Sequence, residues 1–434
     1  MAMPLVLVFL LLLPFFLFIL LKHSNNSNSN RLSPGPPGLP FIGNLHMLLF
    51  DSSRFGFKST LVVSSAKLAE EVLKTQDLNF CSRPQQRVVH LFNRVQQYRP
   101  IREDEVGRLI GKIFKLSVDS EPVNLSEVMM CFSSTIICRV GFGKRYDEGG
   151  IERSRYLGLL KESQAMLSSF SFYDYFPFAS WVDRFTGLLS RLEKTFKELD
   201  KEEDIIDVLL QIREDRDFPF NLNIDHIKAI LMLYTLCFYN LATVIWVISF
   251  LMKYPKCLKK TQAEVRDLIG KKGFVNEDDI QGLTYLKAVI KETFRLQPTA
   301  PLLVPRETLG KCIIGGYNVP AKTLVFVNAW AIGKDLETWE NPEEFSPERF
   351  IGCSIDYKGL HFELVPFSAG RRICPGMRMG VATMELALSN LLYNFDWEMP
   401  IGMNKEDFDF EALPGITAHK KNALILIAKK NISD

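Results

Sequence analysis

Eleven residues near the C-terminal end, Pro366-Phe367-Ser368-Ala369-Gly370-Arg371-Arg372-Ile373-Cys374-Pro375-Gly376, constrain this chain more than any other stretch. A cysteine thiolate is a soft, strongly donating metal ligand, and Cys374 is the candidate here. Gly370 and Gly376 lack a Cβ, so the backbone can fold back close to the sulfur, aim N–H groups at it and stabilise its anionic form. Arg372 offers a planar guanidinium that can grip a cofactor carboxylate through two hydrogen bonds. Phe367 can cover the sulfur and keep water away. A free cysteine is ordinarily a small buried hydrophobe, so a ligand role needs support from the rest of the chain.

The remaining cysteines do not compete for that role. Eight are scattered at 81, 131, 138, 237, 257, 312, 353 and 374, with no C-x-x-C pair. That is neither a zinc site nor a disulfide framework, and it suits a reducing compartment. A net charge of +2 lacks the basic excess of a nucleic-acid binder. With 434 residues, 47% of them apolar, the chain can bury a large core and carry an added membrane segment.

That segment is Met1 to Leu21, which contains no charged residue and at helical rise reaches about 31 Å, close to the hydrocarbon thickness of a bilayer. No small-residue cleavage site follows at His23-Ser24-Asn25, so the stretch predicts an uncleaved anchor. Lys22 and Arg31 on its C-terminal side place the rest of the chain in the cytosol. Residues 22–40 form a polar, then proline-rich hinge: Pro34-Gly35-Pro36-Pro37-Gly38-Leu39-Pro40 holds four prolines in seven residues, which stiffens the exit from the membrane.

Beyond the hinge, hydrophobic periodicity predicts a mainly helical domain with small sheets. Thr60 to Ser64 reads as a strand and Ser65 to Thr75 as a helix with Leu68, Val72 and Leu73 on one face. Helical spacing continues over 101–116, 125–141, 151–170 and 185–210. Ala229 to Met252 carries no charge, so it is either a second membrane span or the buried centre of a large protein, and Pro255 stops it. Glu292 and Arg295, three apart on the helix Lys287 to Leu296, share one face. Short strands are expected over 313–319, 323–327 and 422–428, and Val381, Met384, Leu388 and Leu391 form a core-facing helical stripe after Cys374.

Read as a pattern, the opening loop is Phe-x-x-Gly-x-Arg-x-Cys-x-Gly, which resembles the heme-binding loop of the cytochrome P450 family. Glu292-x-x-Arg295 and Phe345-Ser346-Pro347-Glu348-Arg349-Phe350 precede it in that family's order, and the proline hinge with Phe41-Ile42-Gly43-Asn44-Leu45-His46 is similar to plant microsomal A-type members. The resemblance implies heme b with its iron bound by Cys374, propionate contacts from Arg306 and Arg372, and a buried network of Glu292, Arg295 and Arg349 locking the proximal side. It implies a monooxygenase that inserts one oxygen atom from O2 into a small apolar substrate. Electrons would come from NADPH-cytochrome P450 reductase, with the protein a single-pass resident of the endoplasmic reticulum membrane active in plant secondary metabolism.

Against that pattern the heme domain, 41–434, is incomplete. Chain is missing near 46–60 and near 84–88, and the second gap takes the helix that offers Trp-x-x-x-Arg to a propionate; the first tryptophan here is Trp181. The charge-free stretch resembles the helix crossing the distal heme face, which favours the buried reading, but its acid-alcohol pair is missing. Leu233-Tyr234-Thr235-Leu236-Cys237-Phe238-Tyr239-Asn240-Leu241 stands there, two residues short, which turns a helix by about 200°. Asn240 and Leu241, or Phe238 and Tyr239, occupy the two positions according to register. Two alternatives to a plain monooxygenase follow: a P450 that rearranges already oxygenated substrates, or a heme-binding but catalytically impaired remnant.

Overall fold

Thr60 to Val63 and Leu324–Val327 pair because each is rich in β-branched and apolar side chains that can be buried on the pleat of its neighbour. They form the parallel centre of the larger sheet in a computed structural model of the protein, which describes residues 54–55, 58–80, 95–118, 120–142, 185, 190–191, 242–400, 402–403, 409–413 and 417–431. Naming the strands in order, β1 is Arg54–Phe55 and β2 is Lys58–Val63. A short helix α1, Ala66–Glu70, follows, then helix α2, Arg99–Val118, strand β3, Pro122–Asn124, and helix α3, Leu125–Phe142. After the undescribed stretch come α4, Ala242–Lys253, α5, Pro255–Ile269, and α6, Thr284–Leu296. Strands β4 to β7 are Arg306–Glu307, Cys312–Ile314, Tyr317–Val319 and Leu324–Val327. Helix α7, Ala329–Ile332, and the long α8, Met377–Asn394, lead to β8, Phe395–Glu398, β9, Ala412–Leu413, β10, His419–Lys420, and β11, Ile425–Lys430.

The sheet order is β1-β2-β7-β4, with Thr60 opposite Leu324 in the parallel pair and Arg306 opposite Val325 in the antiparallel one. A second sheet, β3-β11-β8, joins the chain's last strand to the entrance of α3. β5 with β6 and β9 with β10 are two-stranded.

Two apolar cores result among the described residues. The larger joins α2, α3, α4, α5, α6 and α8, and every residue from Thr243 to Met252 is buried on α4. A helix apolar nearly all round belongs in such a centre; the Trp246 indole donates to the Ala418 carbonyl over 3.1 Å and the Ser249 hydroxyl to the Ile245 carbonyl over 2.7 Å. This is the buried reading for the described half of the charge-free stretch, and Tyr254 ends it where Pro255 begins α5. The expected stripe on α8 is buried as well. The smaller core packs α1 and the following turn against β2, β5, β7 and α7, with Val365 and Ala369 among its members.

Two boundaries and one buried face differ from expectation. The helix foreseen over 65–75 is α-helical only to Glu70; Glu71–Thr75 widens into a π-turn, closed by Gln76 N–H on the Glu71 carbonyl at 2.8 Å. Leu68 is half-buried instead of sharing the buried face of Val72 and Leu73. The last strand starts at Ile425, three residues later than its hydropathy suggests, because register with Asn124 of β3 sets its first pair. The helices foreseen over 151–170 and 185–210, the anchor 1–21, the hinge 22–40 and the gap positions near 46–60 and 84–88 lie outside the described residues, apart from a few positions. Among the described residues no helix is long and apolar enough to cross a membrane.

Candidate active site

The cysteine loop lies on the seam between the two cores. Phe367 belongs to the larger one, Val365 and Ala369 to the smaller, and Cys374 and Met377 pack against the larger from its edge. The loop closes on itself through the Cys374 N–H, which donates to the Phe367 carbonyl over 2.8 Å. Two residues in the left-handed region make the turn, Ser368 at φ 63° and Gly370 at φ 68°. A serine in that conformation is strained, and here the Arg306 guanidinium holds it, Nη2 donating to Ser368 Oγ at 2.8 Å and the Ala369 carbonyl at 3.3 Å.

Cys374 then stands three residues ahead of Met377, the first residue of α8, and the bond that opens that helix runs from Gly380 N–H to the Gly376 carbonyl at 2.8 Å. The N-terminus of an 18-residue helix carries unsatisfied N–H groups and partial positive charge, and both favour a thiolate over a thiol. Phe367, 4% exposed, sets its ring edge-on to Phe294 of α6 at 5.2 Å and to Tyr357 at 5.7 Å. The Phe367 ring is therefore fixed from α6 and from the segment before the loop. Arg372 closes the 3₁₀ turn Gly370–Arg372 and is half-buried, while Gly376 is buried.

Phe294 shares its helix with the ion network. Glu292 and Arg295 are fully buried and bidentate, with Nε and Nη2 each 2.8 Å from a carboxylate oxygen. The other Arg295 donors meet carbonyls of Gly333, Pro342 and Glu344 at 2.6 to 3.0 Å, so all five N–H groups are used. Arg349 Nε donates to Glu292 Oε1 over 3.0 Å and its Nη1 to the Glu340 carbonyl. The backbone must come close for this: a Cβ at Gly333 would sit 2.2 Å from the Arg295 carbonyl oxygen.

Two anchors escaped the sequence reading. Asp77, just after the π-turn, accepts the Arg371 N–H at 3.1 Å. Arg102 of α2, with no solvent exposure, forms a bidentate pair with Glu277 at 2.6 and 2.8 Å and points Nη1 at Met379 Sδ of α8. Their partners are 294 and 175 residues away, so no local spacing could announce them. The distal stretch 233–241, with Asn240, lies outside the described residues.

One sulfur at a helix N-terminus, an aromatic cover fixed on two sides and arginines at both flanks of the loop are a donor set that fits a thiolate-bound heme. The cytochrome P450 family profile matches residues 87–427. The chain is 41% identical to a 6,7,8-trihydroxycoumarin synthase of Pastinaca sativa, over 95% of this chain and 96% of that one. It is 41% identical to a 5-OH-xanthotoxin synthase of Ammi majus, over 97% and 98%, and 40% identical to cytochrome P450 71A1 of Persea americana, over 87% and 86%. The alignment with the Ammi majus protein spans 504 positions, more than the 434 residues present, so that relative has positions this chain lacks. The chain belongs to the cytochrome P450 family of heme-thiolate monooxygenases.

Proposed function

We propose that this protein is a plant microsomal monooxygenase that inserts one oxygen atom from O2 into a small apolar aromatic substrate, with Cys374 as the axial heme ligand and electrons from NADPH-cytochrome P450 reductase. The observation that carries the reading is the position of Cys374: three residues ahead of Met377, the first residue of α8, in a loop closed by the 2.8 Å bond from its own N–H to the Phe367 carbonyl. A heme bound through one thiolate supplies dioxygen activation, since the sulfur donates electron density that favours O–O cleavage.

Each of the chain's own residues has a task in that reading. The α8 N-terminus and Gly376 keep the Cys374 sulfur anionic, and Phe367 keeps water from it. Arg372 and Arg306 serve the propionates, Arg306 being oriented by its bonds to Ser368 and Ala369. Glu292, Arg295 and Arg349 hold the 333–349 segment in one register against α6. The uncharged residues 1–21 serve as a single-pass anchor in the endoplasmic reticulum membrane with the heme domain on the cytosolic side.

Relatives named as synthases of a trihydroxycoumarin and of a hydroxylated xanthotoxin support a substrate of coumarin size. The test is reconstitution with reductase, NADPH and isotopically labelled dioxygen over a panel of coumarins and furanocoumarins. One labelled oxygen atom in a hydroxylated product is the expected result. An isomerised product without label would replace the reading with rearrangement of an oxygenated substrate.

A further inference from the structure

We propose that Asp77 is a positioning residue for the cysteine loop, holding the Gly370-Arg371 peptide by a hydrogen bond so that Cys374 is presented as a thiolate. The inference rests on Cys374 being the heme ligand and adds a residue from the other end of the chain to that site.

Local structure first places Asp77 there. The π-turn Glu71–Thr75 closes its hydrogen bond over five residues where α1 closes over four, and such turns recur at functional sites. Its outer side is pinned to the β5-β6 hairpin: Glu71 Oε2 accepts the Gly315 N–H at 3.0 Å, and the Gln76 amide donates to the Ile313 carbonyl. Its inner side faces the loop. A Cβ at Gly370 would lie 2.0 Å from the Leu73 carbonyl oxygen and 3.2 Å from Asp77 Oδ1. The two segments are in backbone contact, which only a glycine permits.

Asp77 uses its two oxygens differently. Oδ2 accepts the Arg371 N–H at 3.1 Å and lies 3.2 Å from Arg371 Nε. Oδ1 faces Arg306 Nη1 at 3.9 Å, beyond hydrogen-bond range. The carboxylate, 9% exposed, therefore sits between two arginines, one of which also holds Ser368 and Ala369. Burying it is tolerable only because it is paired. Loop residues 368, 369 and 371 are thus fixed from outside the loop, while Cys374, three residues further on, is fixed within it through Phe367. Without Asp77 the Arg371 N–H loses its acceptor, the Gly370 turn is free to relax, and the sulfur loses the geometry that favours the anion.

The experiment compares Asp77→Ala, Asp77→Asn and Arg371→Gln with the unmodified chain, reading the share of the reduced carbon monoxide adduct that gives the red-shifted thiolate band, at equal heme content. An asparagine amide oxygen can still accept the Arg371 N–H, and glutamine at 371 leaves that N–H in place. Asp77→Ala is expected to lose more than half of the thiolate band, with Asp77→Asn and Arg371→Gln near the unmodified share. An unchanged share in Asp77→Ala, or equal losses in the alanine and asparagine variants, would overturn the clamp. If the alanine variant yields no soluble protein, Asp77→Ser carries the same test, its hydroxyl being too short to reach Arg371. An unmodified chain with heme but without any thiolate band would instead refute Cys374 as ligand, separately from Asp77.

Discussion

Arg349 Nε lies 3.0 Å from Glu292 Oε1, across 57 residues of sequence, and that contact ties the segment before the cysteine loop to helix α6. Glu292 is fully buried and Arg349 is only slightly exposed. Removing one partner of a buried ion network costs roughly 3–5 kcal/mol; the lower end applies here, because Arg295 still neutralises Glu292. A loss of that size is a large fraction of domain stability. Arg349→Ala is expected to yield protein that fails to take up heme, although the Arg349 side chain bonds to Glu292, Glu340, Asn341 and Glu344 and to no residue of the cysteine loop. Heme content per chain after purification checks this, and full loading would show that the contact is dispensable.

Gly370 makes a narrower prediction. Its φ of 68° is the left-handed region, and a methyl group there would meet the Leu73 carbonyl oxygen at 2.0 Å. Backbone strain alone costs roughly 1–3 kcal/mol for a side chain in such a position, and relieving the clash requires moving either the π-turn or the loop. Gly370→Ala is expected to lower the denaturant midpoint and abolish heme loading together.

Glu385 on α8 carries a pH dependence. Burial pushes its carboxyl up from 4.5 to about 7, against the opposing pull of Lys287 and Lys358, and Tyr357 beside it is pushed up mainly by burial. Between those two values the folded chain holds a proton that the unfolded chain has released, so this group's contribution to stability falls as pH rises through the window and is flat above it. Glu385→Gln removes that dependence. Its denaturation midpoint should exceed that of the unmodified chain by the equivalent of up to roughly 3 kcal/mol at about pH 8, the difference closing towards about pH 5. Parallel urea titrations at the two pH values read this directly.

Proton supply sets another expectation. A positioned acid-base group typically contributes about 10²–10⁴-fold to a proton-transfer step, and residues 233–241 carry neither an aspartate nor a glutamate. With reductase and NADPH, consumption of reducing equivalents should run chiefly to hydrogen peroxide. Lengthening the stretch between Met232 and Ala242 by the two missing residues and restoring Ala-Gly-Thr-Asp-Thr within it should raise product formed per NADPH. Tight coupling in the unmodified chain would contradict the expectation.

The parts of this site written contiguously were legible in the sequence. The loop 366–376 carries its candidate ligand, its glycine turn and its candidate aromatic cover within eleven residues. Glu292 and Arg295 lie on one helical face, and the stripe on α8 repeats at helical spacing. What spacing could not supply are contacts between distant segments. Asp77 reads as an ordinary turn residue until Arg371 is set beside it, and Arg102 as a solvated helix charge until Glu277 and Met379 close over it. The short strands β3, β8, β9 and β10 were invisible for the same reason: runs of two to four residues have no periodicity of their own and exist through their pairing partners. The π-turn after α1 leaves no mark in composition, since one extra residue in a turn changes which groups face the loop and not which residues are apolar.

The account rests on Cys374 being the heme ligand. The most direct measurement is the absorption spectrum of the reduced carbon monoxide adduct for the unmodified chain and for Cys374→Ser. A strongly red-shifted main band in the unmodified chain, absent from the serine variant, is the predicted result. The same band in both proteins would contradict the assignment of Cys374, and its absence from a heme-loaded, folded, unmodified chain would contradict thiolate ligation altogether.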